Sequence, residues 1–171
     1  DYTKSVYNET KQMNRLIVSF LQYNRLQKIQ HLEKTKCDMK EIIPEELEKY
    51  EDLFEAAGIQ CEVSMEETEL INGNKELLAL VIDNYLSNAY KYTEGGRTIT
   101  VKLTREKKGC RFVVWNEGAR LIEDDMTQIW DILSRQDKSR NREKGSTGMG
   151  LPICRRILEL HGFAYGCGNK D

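Results

Sequence analysis

The apolar positions near the N-terminus recur at helical spacing. Val6, Met13 and Phe20 stand seven residues apart, and no Gly or Pro interrupts the chain from Tyr2 to about Lys36. This pattern predicts one long amphipathic helix over residues 1–36. Its apolar stripe is wide for a lone surface helix, so we expect a partner helix or a second copy of the chain to cover it. Packing of the helix on its own domain is the alternative.

The pattern changes after Cys37 and predicts a separate domain over residues 37–171. Residues 38–58 have helical periodicity, and Gly58 provides the stop. A further helix is predicted for NKELLALVIDNYLSNAYKYT, a short one for EDDMTQIWDIL, and a last one for MGLPICRRILEL, which ends at His161 and Gly162. The segment SRQDKSRNREKGSTG, which precedes the last helix, reads as a long basic loop.

Strands are predicted where apolar and polar residues alternate. These segments are IQCEVSM, a short ELING, and a hairpin in which RTITVKLTR and CRFVVWN flank KKG. Helices and strands therefore alternate loosely, with hairpins between them. The predicted fold class is a two-layer α/β sandwich with a mixed sheet, preceded by the long amphipathic helix.

Charge and composition exclude several functional classes. The 171 residues carry 26 basic and 28 acidic side chains, a formal charge of -2, which argues against a nucleic-acid surface. No apolar run is long enough to span a membrane, so we expect no direct membrane contact. Five cysteines without a Cys-x-x-Cys pair indicate free thiols in a reducing, cytoplasmic compartment.

The segment NYLSNAYKYT contains the most informative polar pattern. Asn84, Asn88, Lys91 and Tyr92 stand at i, i+4, i+7 and i+8 and so project from one side of a helix. A carboxamide oxygen is a hard ligand that suits Mg²⁺, and a lysine one turn on can neutralise phosphate. This combination predicts a metal and phosphate site. An ordinary solvated helix face is the alternative.

A glycine-rich segment, GSTGMGL, leads into the last predicted helix. Gly145, Gly148 and Gly150 allow close backbone approach to an anion, and Ser146 and Thr147 stand near the N-cap. The spacing fits neither a Walker loop nor a dinucleotide fingerprint. The segment therefore predicts either a phosphate site or simply a flexible loop end with glycine caps.

The strand VVWNEG ends in Asn116 and turns at Gly118. A strand-ending side chain of this kind can read one polar atom of a ligand, although an asparagine there is also a common turn former.

In this order and spacing, the segments resemble the catalytic and ATP-binding domain of sensor histidine kinases, in the superfamily that includes DNA gyrase, a heat-shock chaperone and the MutL repair protein. NYLSNAYKYT is similar to the N box, VWNEG to the first glycine box, IWDILSRQDKSR to the F box and GSTGMGLPICRRILELHG to the second glycine box. MNRLIVSFLQYNRLQ is similar to the second helix of the dimerisation hairpin. The resemblance implies the histidine kinase-like ATPase fold.

The resemblance also implies roles at an ATP site. Asn88 with Asn84 would hold Mg²⁺, Lys91 would contact phosphate and Tyr92 would line the nucleotide pocket. Asn116 would face the adenine amino group and Gly118 would make room for the base. The phosphates would also meet the glycine-rich segment and cations of the F box and lid; these residues are Thr147, Gly148, Gly150, Arg135, Lys138 and Arg140.

Some positions depart from the family pattern. Asn116 stands where the family usually has Asp, and an amide can donate as well as accept, so we expect a softer adenine preference. Arg120 replaces the second glycine of the first box, and Trp130 and Leu133 occupy F-box positions that are usually aromatic. These changes predict a difference in lid closure.

The phosphoacceptor motif, a His followed by an acidic residue, does not occur in the sequence. His31 and His161 read as structural or solvent-exposed residues. The chain stops at Asp171, just after the strand-like AYGCG, where the family continues with another strand. We therefore expect part of a longer, membrane-anchored kinase that binds ATP but does not phosphorylate itself. The resemblance implies a homodimer through the N-terminal helix and a response regulator receiver domain as partner.

Two other functions stay open at this point. A hydrolytic ATPase of the gyrase type would carry a Glu one turn before the metal-binding Asn, where this chain has Asn84. A non-catalytic signalling module with impaired nucleotide binding is the other possibility, and the changes at Asn116 and Arg120 motivate it.

Overall fold

The fold is known from a computed structural model, which describes residues 2–118, 120–132 and 147–170. The chain forms two compact units. One consists of Leu32–Arg120, and the other combines Asp1–His31 with Leu121–Asp171. Among the helices of the described residues, none is both long and apolar enough to cross a bilayer.

In the part of the chain that the structure describes, the Leu32–Arg120 unit contains three helices and five strands. In chain order these are β1 (Thr35–Cys37), α2 (Met39–Glu48), α3 (Glu51–Ala56), β2 (Gln60–Met65), β3 (Ile71–Gly73), α4 (Lys75–Tyr92), β4 (Thr98–Glu106) and β5 (Gly109–Asn116). The strands form a three-stranded sheet of order β2-β4-β5 and a two-stranded sheet of β1 and β3. Because β2 runs parallel and β5 antiparallel to β4, the larger sheet is mixed, as predicted.

The β4–β5 hairpin confirms the prediction from alternation. Glu106 pairs with Gly109 across Lys107 and Lys108, and Gly109 has a φ of 104°, which favours glycine. Residues of β4 that alternate along the strand are completely buried, and one side of each of α2 and α4 is buried as well. The most buried side chains of this unit are Ile42, Ile43, Ile82, Leu86, Ile99, Val101 and Leu103.

The helix predicted over residues 38–58 is two helices, α2 and α3. Between them the Tyr50 amide donates to the Leu47 carbonyl at 2.8 Å, a tighter turn than the α-helical spacing. This turn places Tyr50 in the interior with 8% of its surface exposed. The stop at Gly58 is confirmed, since its φ of 65° is left-handed.

The other unit contains α1 (Tyr2–Gln27), α5 (Glu123–Gln128) and α6 (Gly150–His161). The prediction that the first helix reaches Lys36 is wrong beyond Gln27, since Thr35–Cys37 is a strand that pairs with β3. The end of α1 is held by α6: Arg156 donates from Nε to the Leu26 carbonyl at 3.2 Å and from its terminal nitrogen to the Ile29 carbonyl at 3.1 Å.

The C-terminal stretch corrects another prediction. Gly162, with a φ of 74°, ends α6 as expected, but AYGCG is not a strand. Side chains hold this stretch instead of a backbone ladder. The Asn169 amide accepts from the Leu121 N–H and donates to the Leu121 carbonyl, both at 2.8 Å, and the Tyr165 hydroxyl donates to Glu159 at 3.1 Å.

Candidate functional site

Helix α4 carries the asparagine pattern. It begins where the Asn74 side chain accepts a hydrogen bond from the Leu77 amide at 3.1 Å, and it ends where the Thr93 hydroxyl donates to the Ala89 carbonyl at 2.7 Å. One side of the helix is buried through Leu78, Val81, Ile82, Leu86 and Ala89. Asn84, Asn88 and Lys91 are half-buried and Tyr92 is 40% exposed. The structure thus places all four predicted residues on one unbroken helix.

The Asn84 carboxamide has a defined orientation. Its Nδ2 donates to the Leu80 carbonyl at 2.9 Å, one turn back along α4. Because the nitrogen is held by the backbone, the oxygen is the end that can ligate a cation. A hard carboxamide oxygen fits Mg²⁺, which accepts few protein ligands and keeps several waters. The donor set is therefore compatible with the predicted metal.

Gly118 lies against the end of α4. A Cβ atom at this position would stand 2.6 Å from the Tyr92 carbonyl oxygen and 2.9 Å from Nδ2 of Asn116. Both distances are shorter than real Cβ contacts, so the turn after β5 requires glycine here. The turn is fixed by Glu117, whose amide donates to the Thr98 carbonyl and whose side chain accepts from the Thr98 amide at 2.9 Å. The turn at Gly118 and Tyr92, which are distant in sequence, are consequently neighbours.

A polar contact between Tyr50 and α4 was not predicted from the sequence. The Tyr50 hydroxyl donates to Oδ1 of Asp83 at 2.6 Å, and its oxygen also lies 3.2 Å from the Asp83 carbonyl oxygen. Burial first, and then the hydrogen bond to Asp83, raise the pKa of Tyr50 far above its usual value, so the hydroxyl stays protonated. Thirty-three residues separate the two side chains, and no local pattern indicates such a pair.

The glycine-rich segment lies in the other unit. Gly148 has a φ of 65°, and α6 begins at Gly150 after the buried Met149. Amides of the first helical turn have no acceptor within the helix and suit an anion, although Pro152 contributes no N–H to this turn. Thr147 and Gly148 are half-buried. The remaining residues predicted for this region, Arg135, Lys138 and Arg140 with Leu133, Gly145 and Ser146, lie outside the described residues.

The structure also describes the surroundings of four other residues named in the sequence analysis: Trp130, His161, His31 and Arg120. Trp130 is 7% exposed, and its ring lies 4.8 Å from that of Tyr165, centroid to centroid. His161 is buried, with Nδ1 2.7 Å from the Ile157 carbonyl oxygen, whereas His31 is exposed. These environments agree with structural or exposed histidines. Arg120 is exposed.

Comparison with known proteins extends this picture. Residues 73–168 match the family of histidine kinase-, DNA gyrase B-, and HSP90-like ATPases. The chain belongs to this family. The matched region contains the whole of α4, the β4–β5 hairpin, the turn at Gly118 and the glycine-led start of α6.

Curated relatives of this ATPase domain are sensor kinases. This chain is 27% identical over 164 residues to sensor histidine kinase YcbM of Bacillus subtilis, and the match covers 95% of this chain and 53% of the relative. It is also 27% identical over 166 residues to sensor protein KdpD of Clostridium acetobutylicum, and this match covers 96% of this chain and 18% of the relative. The chain thus spans about half the length of the first relative and much less of the second.

Solved structures confirm the predicted fold. Full-length ShkA in complex with AMPPNP superposes with a TM-score of 0.81 at 20% identity, covering 99% of this chain and 35% of that one. Histidine kinase ThkA in complex with response regulator protein TrrA superposes with a TM-score of 0.74 at 22% identity. This match covers 95% of this chain and 44% of that one. Family match and fold agree: the chain is a domain of this ATPase family, and histidine kinase ThkA is among the solved structures that share its fold.

Proposed function

We propose that this domain binds MgATP within a longer sensor kinase and donates the γ-phosphate to a histidine that these residues do not include. From that histidine the phosphate would pass to an aspartate of a response regulator. The observation that carries the proposal is the row of Asn84, Asn88 and Lys91 on α4 beside the Asn116–Gly118 turn, in a member of an ATPase family.

Asn88, together with Asn84, would hold Mg²⁺ through carboxamide oxygens, and the Leu80 carbonyl that engages the Asn84 nitrogen supports this role. Lys91, one turn on, would neutralise phosphate charge. When bound, the metal would supply charge neutralisation across the phosphates, which with positioning is most of what phosphoryl transfer needs. The ammonium and the two carboxamides would then orient the triphosphate.

The base would lie at the Asn116–Gly118 turn. Asn116 would hydrogen-bond the adenine amino group through its amide oxygen, and Tyr92 would line the pocket. Gly118 would make room for the base. The Tyr92 carbonyl oxygen, 2.6 Å from where a Cβ would stand, already leaves no space for a side chain at this position. Since an amide can also donate, we expect GTP to be rejected less strongly than by a carboxylate.

Further phosphate contacts would come from backbone and cationic groups elsewhere in the sequence. The left-handed backbone at Gly148 and the start of α6 at Gly150 suit an anion, with Thr147 beside them. Arg135, Lys138 and Arg140 would add positive charge, a prediction that rests on the family resemblance alone.

The whole kinase would work as a homodimer through α1, which leaves Val6, Met13 and Phe20 between 44% and 63% exposed. A response regulator receiver domain would be its phosphate acceptor, a partnership supported by the complex of ThkA with TrrA. We expect the domain to lie on the cytoplasmic side of a membrane-anchored sensor, as the family resemblance implies.

Two alternatives make different predictions. Hydrolysis is disfavoured because Asn84, which cannot act as a base, occupies the position where the hydrolytic relatives carry Glu. A module that binds no nucleotide is favoured only by the substitutions at Asn116 and Arg120.

Calorimetric titration with ATP, ADP and GTP, each with and without Mg²⁺, tests the proposal. We expect Mg²⁺-dependent ATP binding that Asn88→Ala weakens by roughly 10- to 100-fold, as loss of a metal-site residue does. Asn8→Ala, a matched change at an exposed position of α1, should leave binding unchanged. Absence of nucleotide binding to the wild-type chain would contradict the proposal and favour the signalling module.

A further inference from the structure

The contacts that Tyr50 and Phe54 make with α4 follow a regular pattern along the helix. Tyr50 bonds to Asp83, and the Ser87 side chain lies close enough to the Tyr50 hydroxyl to act on its pKa, in the lowering direction. Phe54, one turn after Tyr50, lies with its ring 6.1 Å from that of Tyr90. Asp83, Ser87 and Tyr90 are spaced i, i+4 and i+7, and therefore form one row along the helix.

This row immediately precedes the candidate ligand row. Asp83, Ser87 and Tyr90 are followed in sequence by Asn84, Asn88 and Lys91, respectively. Successive residues of an α-helix are rotated by about 100°, so fixing the angular position of the first row fixes that of the second. A rotation of α4 about its axis would break the contacts of Tyr50 and Phe54 and would re-aim both asparagines.

The apolar packing of α4 lacks this directionality. Leu78, Ile82 and Leu86 are buried through dispersion and solvent exclusion, which tolerate small rotations. A 2.6 Å hydrogen bond from a buried hydroxyl to a carboxylate is charge-assisted and directional. Tyr50 is itself fixed, because its ring packs against Phe54 at 5.7 Å and lies in the tight turn between α2 and α3.

We propose that Tyr50, supported by Phe54, is a positioning residue that sets the rotation of α4 and so aims Asn84 and Asn88 at the metal of a bound nucleotide. The inference rests on the proposed function for its ligand. The geometry between Tyr50 and the Asp83–Ser87–Tyr90 row does not depend on any nucleotide.

Tyr50→Phe is the sharpest test, since it removes one oxygen and keeps the ring that packs on Phe54. We expect MgATP affinity to fall roughly tenfold, as for residues that orient metal ligands, while affinity for metal-free ATP stays within about twofold. Asp83→Asn, which keeps an acceptor for the hydroxyl, should retain most of the metal dependence. Tyr165→Phe is the matched control, because it removes another tyrosine hydroxyl that donates to a carboxylate, that of Glu159.

A second measurement does not need nucleotide binding. In the nucleotide-free chain, the side-chain amide NMR resonances of Asn84 and Asn88 should both shift in Tyr50→Phe and stay unchanged in Tyr165→Phe. If the wild-type chain binds no nucleotide, the proposed function fails, and unchanged amide resonances would then independently overturn the positioning role. The inference is also overturned if affinity falls equally with and without Mg²⁺, or if the resonances shift while MgATP affinity stays the same.

Discussion

Helices α1 and α4 both carry apolar residues at helical spacing, but they bury them very differently. In α4, Ile82 and Leu86 are at most 1% exposed, and a side-chain cap defines each end of the helix. In α1, Met13 and Phe20 are 63% and 50% exposed. The same periodicity thus produces a fixed helix in one unit and a helix with an uncovered face in the other. A ligand site needs the first kind of support, whereas an association surface needs the second.

The largest contrast should come from truncating one apolar side chain in each helix. Leu86→Ala removes a fully buried side chain and should lower the free energy of unfolding by about 2–5 kcal/mol. Met13→Ala should change it by less than about 0.5 kcal/mol in the monomeric chain, because little apolar area is lost from the interior. Chemical denaturation of both variants measures the difference. Equal losses would mean that α1 is covered within the monomer.

A smaller effect is expected at the end of α4. Gly118→Ala would place a Cβ atom 2.6 Å from the Tyr92 carbonyl, and relief of this overlap should cost about 1–3 kcal/mol of stability and weaken ATP binding. Gly166→Ala is the matched control, because a Cβ atom there meets nothing within 4 Å. Thermal unfolding and calorimetry report the two consequences. Wild-type behaviour of Gly118→Ala would show that the turn can move away from α4.

The smallest effect concerns the helix caps. Asn74→Ala removes the side chain that accepts from the Leu77 amide and should destabilise the chain by about 1 kcal/mol. Asn8→Ala, on the exposed surface of α1, should be neutral or slightly stabilising, since alanine is the better helix former. Urea midpoints of the two variants give the comparison, and a neutral Asn74→Ala would show that packing alone defines the start of α4.

Local patterns predicted the elements whose determinants are local. Periodicity gave α4 and α6, alternation with a glycine turn gave the β4–β5 hairpin, and the family motifs indicated the candidate site. The stops at Gly58 and Gly162 were predictable because a left-handed residue is nearly always glycine.

Elements that depend on distant contacts were not predictable in this way. The end of α1 is held by Arg156, far along the sequence, so the absence of Gly or Pro up to Lys36 was misleading. AYGCG alternates like a strand, but among the described residues its backbone pairs with no other strand, and alternation alone does not make one. The Tyr50–Asp83 pair and the proximity of Gly118 to Tyr92 also depend on residues far apart in sequence, so no local pattern predicted them.

The two hydrogen bonds of Arg156 have a mechanical consequence. They join the carbonyls of Leu26 and Ile29 to one guanidinium, so the backbone is fixed at two points where α1 ends. Arg156 therefore links the end of α1 to α6, in addition to the packing between the two helices. The guanidinium charge lies at the C-terminal end of α1, where the helix dipole is negative, so Arg156 also stabilises this helix end electrostatically.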